Sequence, residues 1–146
     1  MDFFLNTGLR ISELVNIKHS DYQNQLLKVH GKGDKFRFIP LPNFLTKNFN
    51  NSSQYLFQTK TGKPLHTSQV RRMIYWRQKR ANLNKHISPH TFRRSFATLL
   101  NNNEVKLTSI QKLLGHSDIN NTSVYVHNSY QEIIMECGKL WKMVLF

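Results

Sequence analysis

The spacing of apolar residues changes once along this chain, dividing it into a strand-bearing first part and a helical remainder. Leu14, Val15 and Ile17 give an apolar side to a short helix over 12–17, and Glu13 falls in its first turn, where the helix dipole favours an acid. Leu26–His30 then reads as a strand, Gly31-Lys32-Gly33-Asp34-Lys35 as a tight polar turn, and Phe36–Pro40 as a second strand with partial alternation. Tyr55-Leu56-Phe57 predicts a third short strand, closed by the Lys60-Thr61-Gly62-Lys63-Pro64 turn, and the three strands are expected to form a small antiparallel sheet.

From Thr67 onward the spacing is helical. A Thr-Ser cap signal opens a helix over 67–81 that carries Arg71, Arg72, Arg77, Lys79 and Arg80. Pro89 suits the first turn of another, whose Phe92, Phe96, Leu99 and Leu100 follow the i, i+4, i+7, i+8 spacing of one apolar face. Leu107, Ile110, Leu113 and Leu114 mark a third helix, stopped by Gly115. Ser117 or Asp118 caps a fourth that carries Tyr125, and the last begins at about Tyr130 with the stripe Ile133, Cys137, Leu140, Trp141 and Val144. The expected class is α+β, mainly α-helical, with the small antiparallel sheet packed on the helices. Barely one helical turn precedes Thr7-Gly8-Leu9-Arg10, so Phe3, Phe4 and Leu5 are expected to lack cover, as in a chain missing its front.

Charge narrows the partner. Twenty-one Lys and Arg stand against eight Asp and Glu, a formal net charge of +13 on a chain of 146 residues. That length fits one domain with a real core, and such an excess on a folded chain favours a nucleic-acid partner. No run approaches the roughly 18 apolar residues of a membrane-spanning helix, and the first residues lack the basic region and cleavage site of a signal peptide. Cys137 is the only cysteine, which excludes an internal disulfide, reads as a core residue and fits a reducing, cytoplasmic setting. The seven histidines show no HExxH-type pairing and no glycine run matches a Walker loop, so neither metal nor nucleotide cofactor is expected.

Several polar residues suit phosphate chemistry. His90 and Arg93, three apart on a helix, share a face. His116 stands at the Gly115-His116-Ser117 corner between two helices, next to a helix N-terminus that favours an anion. Arg10 follows Gly8 in a turn, and its planar guanidinium can bind two phosphate oxygens at once. Lys32, between two glycines at a hairpin tip, could enter a DNA groove and deliver a proton. Tyr125 lies nine residues beyond His116. Read singly, these are a solvated helix face, a capping histidine, a surface arginine, a turn lysine and a helix tyrosine; their order is far more specific than any one of them.

That order resembles the catalytic domain of the tyrosine recombinases, or phage-type integrases, over roughly residues 3–130. The clearest pieces are Thr7-Gly8-Leu9-Arg10-Ile11-Ser12-Glu13-Leu14, Gly31-Lys32-Gly33-Asp34-Lys35, Ser88-Pro89-His90-Thr91-Phe92-Arg93 with Phe96-Ala97-Thr98, and Leu113-Leu114-Gly115-His116-Ser117. The resemblance implies that Tyr125 attacks a DNA phosphodiester to give a 3′-phosphotyrosyl link. Arg10, Arg93 and His116 would stabilise the transition state, Lys32 would protonate the leaving 5′ oxygen, and His90 would serve as base or orient the tyrosine. Lys35, Arg37, Arg71, Arg72, Arg77 and Arg94 are expected to contact DNA.

The family's pattern also implies double-stranded DNA as partner, with no small-molecule substrate, and a homo-oligomer, a tetramer on DNA, assembled through the C-terminal helix. The single catalytic domain would span 1–146, with the helical DNA-clamp domain absent. Arg94 departs from the histidine that many family members have after the His-x-x-Arg arginine, which implies tuning of the site rather than its loss. A non-catalytic DNA-binding remnant that occupies sites is the alternative function, and a type IB topoisomerase shares the chemistry but fits the motifs less well.

Overall fold

The computed structural model describes residues 1–31, 35–47, 49, 53–115 and 126–144, apart from the side chains of 126–129 and 142–144. In chain order the elements are α1 (Asp2–Thr7), α2 (Ile11–Val15), a 3-10 turn at His19–Asp21, β1 (Tyr22–Gln23), β2 (Leu26–His30), β3 (Phe36–Pro40), α3 (Asn43–Thr46), α4 (Thr67–Arg80), α5 (Pro89–Asn102), α6 (Leu107–Leu114) and α7 (Val126–Val144). The class is the expected one, a mainly helical chain with a three-stranded antiparallel sheet in the order β1-β2-β3.

The β2–β3 pair forms as its sequence predicts, with Leu27 opposite Ile39 and Val29 opposite Arg37. The third strand differs. Tyr55 makes only an isolated bridge to Lys18, while Tyr55, Leu56 and Phe57 are all half-buried in succession, without the alternation a strand needs. Leu56 and Phe57 instead pack against the core. The third strand is β1, joined to β2 through Asn24 and Gln25, whose φ angles of 49° and 65° give the doubly left-handed turn that matches sheet twist. Glycine or aspartate would have announced that turn; Gln25 did not.

The front of the chain is covered from within. Phe3 meets Phe57 edge-on at 5.0 Å and Phe49 at 6.4 Å, and Phe4 stacks on Phe92 at 5.8 Å. The expectation that Phe3 and Phe4 lack cover is therefore corrected, since both are buried. Gly8 ends α1 in the left-handed conformation, φ 60°, and a Cβ there would collide with the Phe96 ring and come within 3.1 Å of Leu114. Its missing side chain lets the end of α1 rest directly on α5 and α6.

The helices bury narrower stripes than their sequences suggest. α5 buries Arg93, Phe96 and Leu100, whereas Leu99, expected in the core, is 37% exposed. Ser88 caps this helix: the Thr91 N–H donates to Ser88 Oγ at 3.3 Å and the Ser88 N–H donates to Thr91 Oγ1 at 3.1 Å, with Pro89 in the first turn. α7 starts at Val126 rather than near Tyr130 and buries Tyr130, Ile133, Cys137 and Leu140. Phe38 N–H donates to Tyr130 Oη at 3.2 Å and the two rings meet edge-on, so α7 is fastened to β3. The separate helix expected to carry Tyr125 lies outside the described residues. Among the described residues no helix is long and apolar enough to cross a membrane.

Gly8→Ala should destabilise the chain by about 2 kcal/mol or more, combining the left-handed backbone cost with overpacking against Phe96. Urea unfolding followed by circular dichroism measures it; an unchanged midpoint would contradict the close approach.

Candidate active site

Arg10 reaches its position because the chain turns at Gly8 and restarts as α2. It is the N-cap residue of α2, where its backbone N–H donates to Glu13 Oε2 at 2.7 Å and its Nη1 donates to Glu13 Oε1 at 3.0 Å. The side chain remains 45% exposed. Glu13 is buried and also accepts from Arg37, from Nη1 to Oε1 at 2.8 Å and from Nη2 to Oε2 at 2.9 Å. One carboxylate thus lies between two guanidiniums, with the bidentate pairing on the buried one.

The C-terminus of α6 binds the second half of this arrangement. A helix end leaves its last carbonyls without internal partners and carries partial negative charge. Arg37 Nε donates to the Leu113 carbonyl at 2.7 Å, and Arg93 donates to the Leu114 carbonyl through Nη2 and to the Gly8 carbonyl at 2.7 Å through Nη1. Arg93 therefore joins three segments: its own helix α5, the turn that delivers Arg10, and the end of α6. Gly115 follows in the left-handed conformation, φ 67°, and a Cβ on it would stand 3.2 Å from Arg37 Cδ.

Charge in the cluster is unbalanced by design of the packing. Burial, then the neighbouring charges of Arg10 and Arg37, bring the Arg93 guanidinium down to about 10, against a smaller opposing pull from Glu13; it stays protonated at neutral pH. Burial by itself would raise the Glu13 carboxyl, but the hydrogen bonds and charge of Arg37, with the bonds from Arg10, carry it below its ordinary value. Among the described residues, three guanidiniums around a single carboxylate leave the cluster net positive.

That site opens into a cleft of about 300 Å³. Arg10, Arg71, His90 and Arg93 supply its polar lining, with Ser88 and Pro89 at the N-terminus of α5 and Leu9 and Ile11 as the apolar part. Among the described residues, none that lines the cleft is acidic. An anion there would meet several cationic side chains and the positive end of a 14-residue helix.

Of the expected catalytic residues, Arg10, His90 and Arg93 come together in this cleft, His90 from the exposed first turn of α5. Lys32, His116 and Tyr125 lie outside the described residues. Among the expected DNA contacts, Lys35, Arg71, Arg72, Arg77 and Arg94 are exposed. Arg37 is a correction. It is 7% exposed and its guanidinium is engaged with Glu13 and Leu113, so it faces the core rather than DNA. Glu13, read as a helix-dipole acid, is instead the anchor of two arginines, and Arg71 joins the cleft itself. The Arg10-x-x-Glu13 spacing of a capping pair was the available signal for the first; nothing local marked the second.

The phage integrase family pattern matches residues 1–132. The chain belongs to that family, the tyrosine recombinases. A tyrosine recombinase of Agathobacter rectalis is 36% identical over 140 residues, covering 87% of this chain and 46% of the relative. The tyrosine recombinase XerD of Staphylococcus haemolyticus is 38% identical over 148 residues, covering 91% of this chain and 50% of the relative. Among solved structures, the XerA recombinase aligns with a TM-score of 0.66 at 30% identity over 91% of this chain and 54% of that one. This tyrosine recombinase chain thus spans about half the length of the curated relatives it matches.

In the tyrosine recombinase chain, a carboxyl held below its ordinary value stabilises the fold at pH values above the unfolded carboxyl's, and that contribution disappears as pH falls through the folded one. Glu13→Gln should cost about 3 kcal/mol at pH 7 by leaving Arg37 without its ion pair, and should flatten the loss of stability below about pH 4.5. Urea titrations from pH 3 to 7 measure both; equal acid slopes in the two proteins would contradict the assignment.

Proposed function

We propose that this chain cleaves and rejoins DNA strands in site-specific recombination through a 3′-phosphotyrosyl intermediate. The observation that supports it best is the cleft in which Arg10, Arg93 and His90 converge at the start of α5, in a chain of the tyrosine recombinase family. A phosphodiester resists attack largely through its own charge, and two guanidiniums answer that charge without a metal. Arg93, fixed by two carbonyls, supplies a preorganised cation, and the more exposed Arg10 supplies the adaptable one.

In this reading the Tyr125 hydroxyl attacks phosphorus, the bond to the 5′ oxygen breaks, and Lys32 gives that oxygen its proton. A tyrosine titrates near pH 10 when unperturbed, so nearby cations and His90 acting as base or orienting group are what make it a nucleophile at neutral pH. His116 joins the arginines on the transition state. The phosphotyrosyl bond keeps the energy of the bond it replaced, and attack by another strand's 5′ hydroxyl restores the diester without a cofactor. Arg71 lies in the cleft and Arg72, Arg77 and Arg94 on exposed helix surface, suited to flanking phosphates.

Double-stranded DNA is the substrate, and assembly on it as a homo-oligomer, a tetramer, uses the C-terminal helix α7. A solved XerH recombinase is bound to its difH substrate, and a lambda integrase forms a tetramer on a Holliday junction; both are under 25% identical to this chain and share its fold.

A nicked suicide DNA substrate should trap a covalent adduct with the chain, and Tyr125→Phe should abolish it. DNA binding without any adduct would favour a non-catalytic DNA-binding protein instead. Arg93→Lys should slow adduct formation by about a hundredfold or more while changing DNA affinity only a few-fold, because a point charge cannot hold the Gly8 and Leu114 carbonyls together and still present a fork to phosphate. Single-turnover rates at saturating DNA, set beside binding curves, separate the two effects.

A further inference from the structure

Arg37 has no place in the cleavage scheme above, yet all three of its guanidinium nitrogens donate hydrogen bonds beside the cleft. They reach two separate elements: Glu13 of α2 through both terminal nitrogens, and the Leu113 carbonyl of α6 through Nε. Gly115, whose conformation only glycine adopts readily, is packed against its side chain. It projects from β3 towards the core beside Ile39, not towards solvent.

We infer that Arg37 is a positioning residue, which sets Arg10 for phosphate by holding the Glu13 carboxylate and the end of α6 in fixed register. Three geometric facts carry this. Glu13 is the partner of Arg10 through both its backbone and its side chain, so whatever fixes Glu13 fixes the cap from which Arg10 extends. Arg37 fills both carboxylate oxygens from the buried side, leaving Arg10 the outer approach to Oε1. Its remaining nitrogen fastens α6 at Leu113, one residue before the carbonyl that Arg93 holds, so Arg10 and Arg93 are referred to one frame.

Lysine cannot replace it. An ammonium carries the charge but cannot span two carboxylate oxygens and a carbonyl on a second element at once. β3 also pairs with β2 along its whole length, so the same guanidinium ties this strand pair to the arginines.

The inference rests on the proposed reading of the cleft as a phosphate site, and the test separates their failures. Binding of the full chain to a duplex is measured against salt, with and without Arg10→Ala. In the otherwise unchanged chain the substitution should lower the log–log slope by about 0.9, the share of one phosphate contact. In an Arg37→Lys background it should lower it by much less, because Arg10 is no longer aimed. Arg37→Met serves as a second background, and thermal melting identifies the variants that are folded under the binding conditions. An equal drop in both backgrounds overturns the inference, as does no drop in the unchanged chain.

The cleavage arm is read separately. Arg37→Lys should slow adduct formation about a hundredfold at saturating DNA, the scale of a small misplacement of catalytic groups. Added Glu13→Gln should slow it little further, because both changes break the same link; multiplicative losses overturn it. Failure of the unchanged chain to form any adduct sinks the recombinase reading, while the salt-slope arm still decides whether Arg37 positions Arg10.

Discussion

The geometry of this chain turns on one carboxylate. Glu13 is removed from water and held between Arg10 and Arg37, an arrangement whose Coulombic gain must offset the desolvation of buried charge. Hydrophobic residues of similar size could fill the space at less electrostatic cost. What they could not do is specify direction. The planar fork of Arg37 ties α2 to β3 and α6 at defined angles, and an apolar contact would leave those elements free to slide. The bidentate geometry converts a costly burial into a positional constraint, and the cleft is assembled on it.

Arg93 extends the constraint. By donating to Gly8 and Leu114 it answers a turn carbonyl and an orphan helix-end carbonyl with one side chain. Its charge is thereby held at the cleft by hydrogen bonds that do not neutralise it. The helix end could have been capped by glycine geometry and water alone; using a buried cation instead keeps positive charge within a packed region. The surplus of guanidinium over carboxylate in this cluster is local, while the +13 of the chain is global, and the two fields act at different ranges.

The sequence was legible where local signals and packing agree. Pro89 after Ser88 announced α5, Gly115 announced the stop of α6, and the polar Gly31–Lys35 sequence separates the two strands that pair. Arg10, His90 and Arg93 could be grouped because their motif order resembles a known family, and the fold brings all three to one cleft. Arg37 was misread because Phe36-Arg37-Phe38 offers an apolar face on the wrong side: Phe36 lies outside under Lys28, 4.5 Å from its ring, and Phe38 meets Tyr130 of α7, so the polar residue points inward. Alternation alone does not say which face is buried; only the distant Glu13 and the end of α6 decide that. The strand at Tyr22–Gln23 was hidden for a related reason, since Gln25, the second residue of its turn, is not a type that advertises a left-handed backbone.

Cys137 gives α7 a property unrelated to catalysis. The thiol is sealed on the helix's packed face, and burial, helped by the neighbouring Glu136 charge, pushes it up to about 12. Both effects disfavour the thiolate that oxidants and alkylating reagents attack for as long as the helix stays seated. With no second cysteine to compete, the rate at which this sulfur becomes reactive is a clock for how often α7 lifts from the body of the chain, readable without any added label.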